Sequence, residues 1–305
     1  LVRGSLSLAQ RLGLSPLLAG IFIVGFGTSL PELSVSLGAA LDNQPGMAIG
    51  NLVGSNIANV WLVMATVAVV FTLQPGHFGQ RRTFLVMAAA TAAWIALSAF
   101  DLFTPMAGMA LLAVLLIFSI MIGTQTHLAH DRGADVGFIA EDESRLSVFM
   151  TASLILCGMV GLPIAAYLIV DGGVGLAQKY NVSEEYIGLT LLAIGTSLPE
   201  LGVSLVAAFR RQGDVVIGNI LGSNLFNILG IGGLISLFGG LQFAPVFENF
   251  DHWILGAATV TLALFILPRT KVTRLAGIAM LLAYAIYIYG LVNGWNITAQ
   301  IKAML

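Results

Sequence analysis

Apolar stretches of roughly bilayer-spanning length recur from one end of the chain to the other, separated by short polar or Gly/Pro-bearing breaks. About 20 such residues carry a helix across the hydrocarbon core. The pattern predicts nine spans, at about 15–41, 45–74, 82–100, 104–124, 146–171, 183–209, 214–239, 250–268 and 273–293. One long polar stretch, Thr124 to Arg145, carries His127, His130, Asp131, Arg132, Asp135, Glu141, Asp142 and Glu143. It reads as a solvated linker, with a metal-binding regulatory loop as the alternative. The expected organisation is one integral membrane domain: a first repeat over 1–123, a cytoplasmic linker over 124–145 and a second repeat over 146–305.

Two of these apolar spans hold the same six residues, Gly-Thr-Ser-Leu-Pro-Glu, at Gly27–Glu32 and again 168 residues later at Gly195–Glu200. Aligning 25–60 with 193–228 at that offset gives 20 identities in 36 positions without a gap. The copies lie in the first and sixth spans. Five spans is an odd shift, so they enter the membrane in opposite directions, which is the inverted-topology repeat of many secondary transporters. The same offset pairs Val2, Gly4, Leu8, Ala9, Gln10 and Ser15 with Val170, Gly172, Leu176, Ala177, Gln178 and Ser183. By that pairing Leu1 falls at the end of a helix whose body lies outside the sequence. The repeat thus predicts an all-α parent of five plus five helices, with most of the first absent.

Each copy brings oxygen to lipid depth. Pro31 and Pro199 lack an amide proton and clash with the preceding turn, so each motif should break its helix and free carbonyl oxygens. Such groups are tolerated in the hydrocarbon region only where they line a cavity or meet a partner. Thr28, Ser29, Thr196 and Ser197 add hydroxyls, and Glu32 and Glu200 add carboxylates. Downstream, Gly50-Asn51 and Gly54-Ser55-Asn56-Ile57-Ala58-Asn59 match Gly218-Asn219 and Gly222-Ser223-Asn224-Leu225-Phe226-Asn227. The small residues let helices approach closely. Ser55 and Asn59, like Ser223 and Asn227, are four apart on one helical face. Four such helices crossing would form a cage of hard oxygens with two negative charges, which suits Ca²⁺ and Na⁺ rather than zinc or copper.

Composition narrows the chemistry. The chain is 58% hydrophobic and 9% charged, with a mean hydropathy of +0.95. Of 15 acidic residues, Glu32 and Glu200 alone read as well inside spans, with Asp42, Asp171 and Asp214 near span ends. No Lys or Arg lies at their depth, so the pair must bind cations or take up protons. With the linker cytoplasmic, 11 basic residues fall inside and only Lys179 and Lys302 outside, the orientation the positive-inside rule selects. The C-terminus then faces the periplasm or exterior. The single Cys157 excludes an internal disulfide and a Cys-rich metal site. No His-Glu-x-x-His motif and no phosphate-binding Gly-x-x-x-x-Gly-Lys loop occurs, so neither enzyme nor ATP-driven pump is supported. The net charge of −2 gives no sign of a nucleic-acid partner.

The duplicated stretches resemble the two alpha-repeats of the sodium/calcium exchanger family, within the cation/calcium antiporter superfamily, and its bacterial inner-membrane branch in particular. The resemblance implies antiport of Na⁺ against Ca²⁺ by alternating access. It implies no cofactor and no obligatory partner beyond membrane lipid. Carried over by position, Glu32 and Glu200 bridge the Ca²⁺ site and the adjoining Na⁺ sites. Thr28 and Thr196 give backbone or hydroxyl oxygen. Ser29, Ser55, Ser197 and Ser223 line the Na⁺ sites, with backbone help near Gly25 and Ala193, and Asn59 and Asn227 face the middle. Some members carry Asp where this chain has Asn227, and the missing charge argues against potassium dependence. A proton- or potassium-coupled antiporter and a cation channel are the alternatives.

Overall fold

In the computed structural model, the described residues are 1–12, 14–75, 79–131, 146–180, 182–238, 241 and 243–304. The expected linker lies mostly outside them, and with it the alternative of a metal-binding loop. The first repeat contains α1 (Val2–Leu12), α2 (Pro16–Thr28), α3 (Leu30–Leu41), α4 (Pro45–Val70), α5 (Gln80–Ala99) and α6 (Pro105–Asp131). The second contains α7 (Val148–Lys179), α8 (Glu184–Phe209), α9 (Gly213–Ser236), α10 (Phe247–Ile266), α11 (Arg274–Val292) and α12 (Ile297–Met304). Among the described residues eight helices are long and apolar enough to cross a membrane, and the bent pair α2–α3 makes nine. No strand forms among them; Leu73 and Val272 make one isolated antiparallel bridge.

The 168-residue offset seen in the motif extends to whole elements. It carries α4, α5 and α6 onto α9, α10 and α11 with starts within two residues, and α2–α3 onto α8. It carries α1 onto the end of α7. The turns obey it too. Asn43 and Arg211 are left-handed at φ 56° and 59°, and Asp101 and Arg269 at φ 52° and 61°, a conformation few non-glycine residues adopt.

Burial separates an inner layer from an outer one. Within the spanning windows 89% of α9 and 78% of α4 is buried, against 22% of α6 and 6% of α7. The inner helices touch backbone to backbone. A Cβ on Gly218 would lie 2.6 Å from the Leu17 carbonyl oxygen and 3.0 Å from the Gly20 Cα. In the other half, a Cβ on Gly188 would lie 2.6 Å from the Met47 carbonyl oxygen and 3.0 Å from the Gly50 Cα. Glycine at these crossings replaces side-chain packing with main-chain contact, and that closeness brings short polar side chains on four helices to a common centre.

Four features depart from the sequence expectation: α6 runs on to Asp131, into the expected linker, α12 follows the last expected span, and the other two concern α7 and Asp251. α7 runs on through Gly172 and Gly173 to Lys179, past the expected end near 171. A helical glycine costs only about 1 kcal/mol relative to Ala, too little to stop a helix unaided. The expected acidic inventory also missed Asp251. It is fully buried in the first turn of α10, where Tyr287 Oη donates to its Oδ1 at 3.0 Å. A π-helical turn over Phe247–Asp251 starts the helix ahead of the expected boundary at 250 and carries Asp251 inside.

Candidate ion-binding centre

The two motifs break their helices at one residue each. Ser29 (φ −82°, ψ 4°) separates α2 from α3, and the two helices bend by 42°. Ser197 (φ −82°, ψ 0°) makes the same turn inside α8. Pro31 and Pro199 sit in the first helical turn after the break, where a missing N–H costs little. Neither proline can donate to the carbonyl four residues back, so Gly27 and Gly195 lose their usual helical partner. Each turn is preceded by a wide π-helical stretch, Ala19–Gly25 and Ile187–Leu192, and each downstream helix has another, Asn59–Met64 and Phe226–Ile231. Such stretches recur at functional sites.

Around these turns the polar contacts come in two-fold pairs. Thr28 Oγ1 reaches the Val24 carbonyl at 3.0 Å and Asn219 Oδ1 at 3.1 Å. Thr196 Oγ1 reaches the Leu192 carbonyl at 2.9 Å and Asn51 Oδ1 at 3.1 Å. Asn51 Nδ2 donates to Ser36 Oγ at 2.9 Å, and Asn219 Nδ2 to Ser204 Oγ at 3.0 Å. Asn59 Nδ2 donates to Asn224 Oδ1 and Asn227 Nδ2 to Asn56 Oδ1, both at 3.0 Å. Residue i of one repeat meets j of the other, and j meets i, as in an isologous interface.

What these networks leave over is a set of oxygen atoms. Ser29 Oγ, both Glu32 carboxylate oxygens, Asn59 Oδ1, Ser197 Oγ, Glu200 Oε2 and Asn227 Oδ1 are buried with no hydrogen-bond partner among the described residues. Glu200 lies beside Thr28, Ser29 and Ser223, and Glu32 beside Thr196, so each carboxylate faces the opposite repeat. Ser223 Oγ reaches both Glu200 Oε1 and the Gly25 carbonyl at 3.4 Å, whereas Ser55 Oγ pairs with Thr196 Oγ1 at 3.3 Å. Ala193 is fully buried, and its carbonyl accepts the Ser197 N–H at 3.2 Å. Unpaired buried acceptors are costly. A ring of acceptors with two carboxylates recovers that cost when a hard cation fills it.

Six residues that the sequence reading quoted without a role, or passed over, complete the centre: Ser36, Asn51, Asn56, Ser204, Asn219 and Asn224. All are buried and none supplies an unpartnered oxygen; they hold those that do. Their signal was present, since each is identical in both copies of the repeat.

The chain is similar to known proteins along nearly its whole length. The sodium/calcium exchanger protein family model matches residues 1–124 and 150–293. The inner membrane protein YrbG of Escherichia coli is 30% identical over 275 residues, covering 86% of this chain and 82% of that protein. The sodium/calcium exchanger MaX1 of Methanosarcina acetivorans is 26% identical over 321 residues, covering 94% and 92%. Among solved structures, the sodium-calcium exchanger NCX_Mj soaked with Na⁺ and Sr²⁺ superposes with a TM-score of 0.76. It is 33% identical over 94% of this chain and 91% of its own. The chain therefore belongs to the sodium/calcium exchanger family, as a multi-pass membrane cation/Ca²⁺ antiporter rather than an enzyme.

Proposed function

We propose that this antiporter exchanges Na⁺ for Ca²⁺ by alternating access at the centre formed by Glu32, Glu200 and their two-fold partners. The observation that carries the reading is the set of seven unpartnered buried oxygen atoms from Ser29, Glu32, Asn59, Ser197, Glu200 and Asn227. Two carboxylates are neutralised by one Ca²⁺, while several Na⁺ in the same ring leave net positive charge. The two ions therefore compete, and exchange of several Na⁺ for one Ca²⁺ moves charge across the membrane. Thr28, Thr196, Ser55 and Ser223 complete the shell. Each threonine hydroxyl has one proton to give, either to its own-helix carbonyl, Val24 or Leu192, or to the facing Oδ1 of Asn219 or Asn51, and its oxygen keeps lone pairs for a cation.

The two repeats act as alternate walls of one site. The turns at Ser29 and Ser197 let the halves of each broken helix tilt, and α1 and the largely exposed α7 slide against the inner layer. The likeness to the inner membrane protein YrbG supports an inner (plasma) membrane location. The 11-to-2 distribution of basic residues supports a cytoplasmic 124–145 linker and a C-terminus on the periplasmic or extracellular side. Asn227 in place of a carboxylate supports Na⁺ without K⁺.

Equilibrium Ca²⁺ binding to the purified chain tests the reading. Na⁺ should displace Ca²⁺ with a steep, more than first-order dependence, and Glu200→Gln should lose Ca²⁺ binding while remaining folded. Displacement by protons or K⁺ with no effect of Na⁺ would overturn the choice of counter-ion.

A further inference from the structure

We infer that Asn56 and Asn224 are positioning residues. They lock the side-chain amides of Asn59 and Asn227 so that the carbonyl oxygen, and never the N–H, faces the cation. The inference rests on the ion-binding role proposed for Asn59 and Asn227.

The lock follows from a short chain of donors and acceptors. Asn224 Nδ2 faces the Asn56 main-chain carbonyl at 3.4 Å, and Asn56 Nδ2 faces the Asn224 main-chain carbonyl at 3.5 Å. These are long contacts, but a peptide carbonyl only accepts. Turning either amide over would set oxygen against oxygen at the same distance. Each amide is therefore held with its Nδ2 toward the opposite main chain and its Oδ1 turned away. That Oδ1 then meets Asn59 or Asn227 at 3.0 Å, and an acceptor there admits only a donor. Asn59 and Asn227 must present Nδ2 to it, so their own Oδ1 atoms point the other way. Those are two of the buried oxygens left without a partner. All four residues are at most 4% exposed, which limits the access of bulk water to the bonds.

Without the lock, a free amide offers N–H to the ring as readily as C=O, and an N–H repels a cation. With it, the middle of the centre is neutral and oxygen-only in both repeats. The same geometry bears on the choice of Asn. An ionised aspartate at 59 or 227 would set a carboxylate against Asn224 Oδ1 or Asn56 Oδ1, acceptor against acceptor.

The test is a four-variant cycle in proteoliposomes, measuring KM and kcat for Ca²⁺: the native chain, Asn224→Leu, Asn59→Asp, and the double variant. Asn224→Leu should raise KM about tenfold with kcat little changed, the pattern of lost binding. Asn59→Asp alone should also raise KM. The double variant should return KM to within about threefold of native, since an aspartate offers oxygen on both sides and no acceptor opposes it. A role confined to packing gives additive damage instead, and a double variant worse than either single one overturns the inference. The lock is also read without transport, from exchange of the ¹⁵N-labelled Asn59 amide protons in nanodiscs. They should be protected in the native chain and in Glu200→Gln, and lose protection in Asn224→Leu. Protection retained in Asn224→Leu overturns the lock. Protection lost in Asn224→Leu, together with no Ca²⁺ movement by the native chain, upholds the lock and refutes the Na⁺/Ca²⁺ reading alone.

Discussion

Gly218 has no room for a methyl group, because its neighbours at 2.6 and 3.0 Å are main-chain atoms of Leu17 and Gly20 that cannot rotate away. Gly218→Ala must push α2 from α9, and overpacking of this kind costs about 1–3 kcal/mol. A matched control is Gly202→Ala, where nothing lies within 4 Å of the new Cβ and helix propensity favours Ala by about 1 kcal/mol. Thermal unfolding in detergent should therefore drop for the first and hold or rise for the second. Equal effects would remove the backbone contact from the account. At this scale the ligands were legible and their supports were not. Glu32 and Glu200 announce themselves because charge at lipid depth has few bland explanations. Asn56 and Asn59 look alike in a sequence; only the facing helix shows that one orients and the other presents. Asp251 was hidden by its position, one π-helical turn inside a boundary that hydropathy places to within a few residues. Its Oδ2 has no partner among the described residues, so Asp251→Asn keeps an acceptor for Tyr287 and removes a buried charge. It should leave the melting temperature no lower than native, and a clear loss would mean the charge itself stabilises α10 against α11.

The elements carry the motion. Pro31 costs α3 little in its first turn, yet it bars α2 and α3 from joining into one straight helix. Pro31→Ala restores a donor for the Gly27 carbonyl and makes the straight helix accessible. Turnover should fall severalfold while thermal stability holds or rises, with Pro199→Ala acting in the same direction from the other repeat. Unchanged kcat in both would show that the turns at Ser29 and Ser197 are static. Nine apolar spans were readable from hydropathy because each keeps the length and apolar composition of a spanning segment, even where α2 and α3 are bent at Ser29. The π-helical stretches were not, since no residue type marks them; two of them, Ala19–Gly25 and Ile187–Leu192, hold a glycine at a backbone crossing. The length of α7 escaped for a related reason: two glycines and an aspartate resemble a stop, but none is strong enough to end a helix alone.

The whole molecule is two copies of one unit that share their functional groups across the interface. Thr28 leans on Asn219 and Thr196 on Asn51, so neither repeat holds a complete centre by itself. It follows that Asn51→Ala and Asn219→Ala should weaken Ca²⁺ transport by similar factors, within about threefold of each other when read as KM. A large disparity would mean that one repeat dominates binding. The two-fold was the most legible feature of all, because 20 of 36 positions repeat at one offset and the structure extends that offset to helices and turns. The counter-ion is a different matter, since carboxylates and hydroxyls accept Na⁺, H⁺ and Ca²⁺ alike. Radioactive Ca²⁺ uptake into Na⁺-loaded proteoliposomes addresses it directly, with the membrane potential clamped at two values and Glu200→Gln as control. Uptake should require the outward Na⁺ gradient, accelerate when the potential favours net positive charge leaving, and vanish in the control. Uptake driven equally well by a proton gradient, or indifferent to Na⁺, would contradict Na⁺/Ca²⁺ exchange.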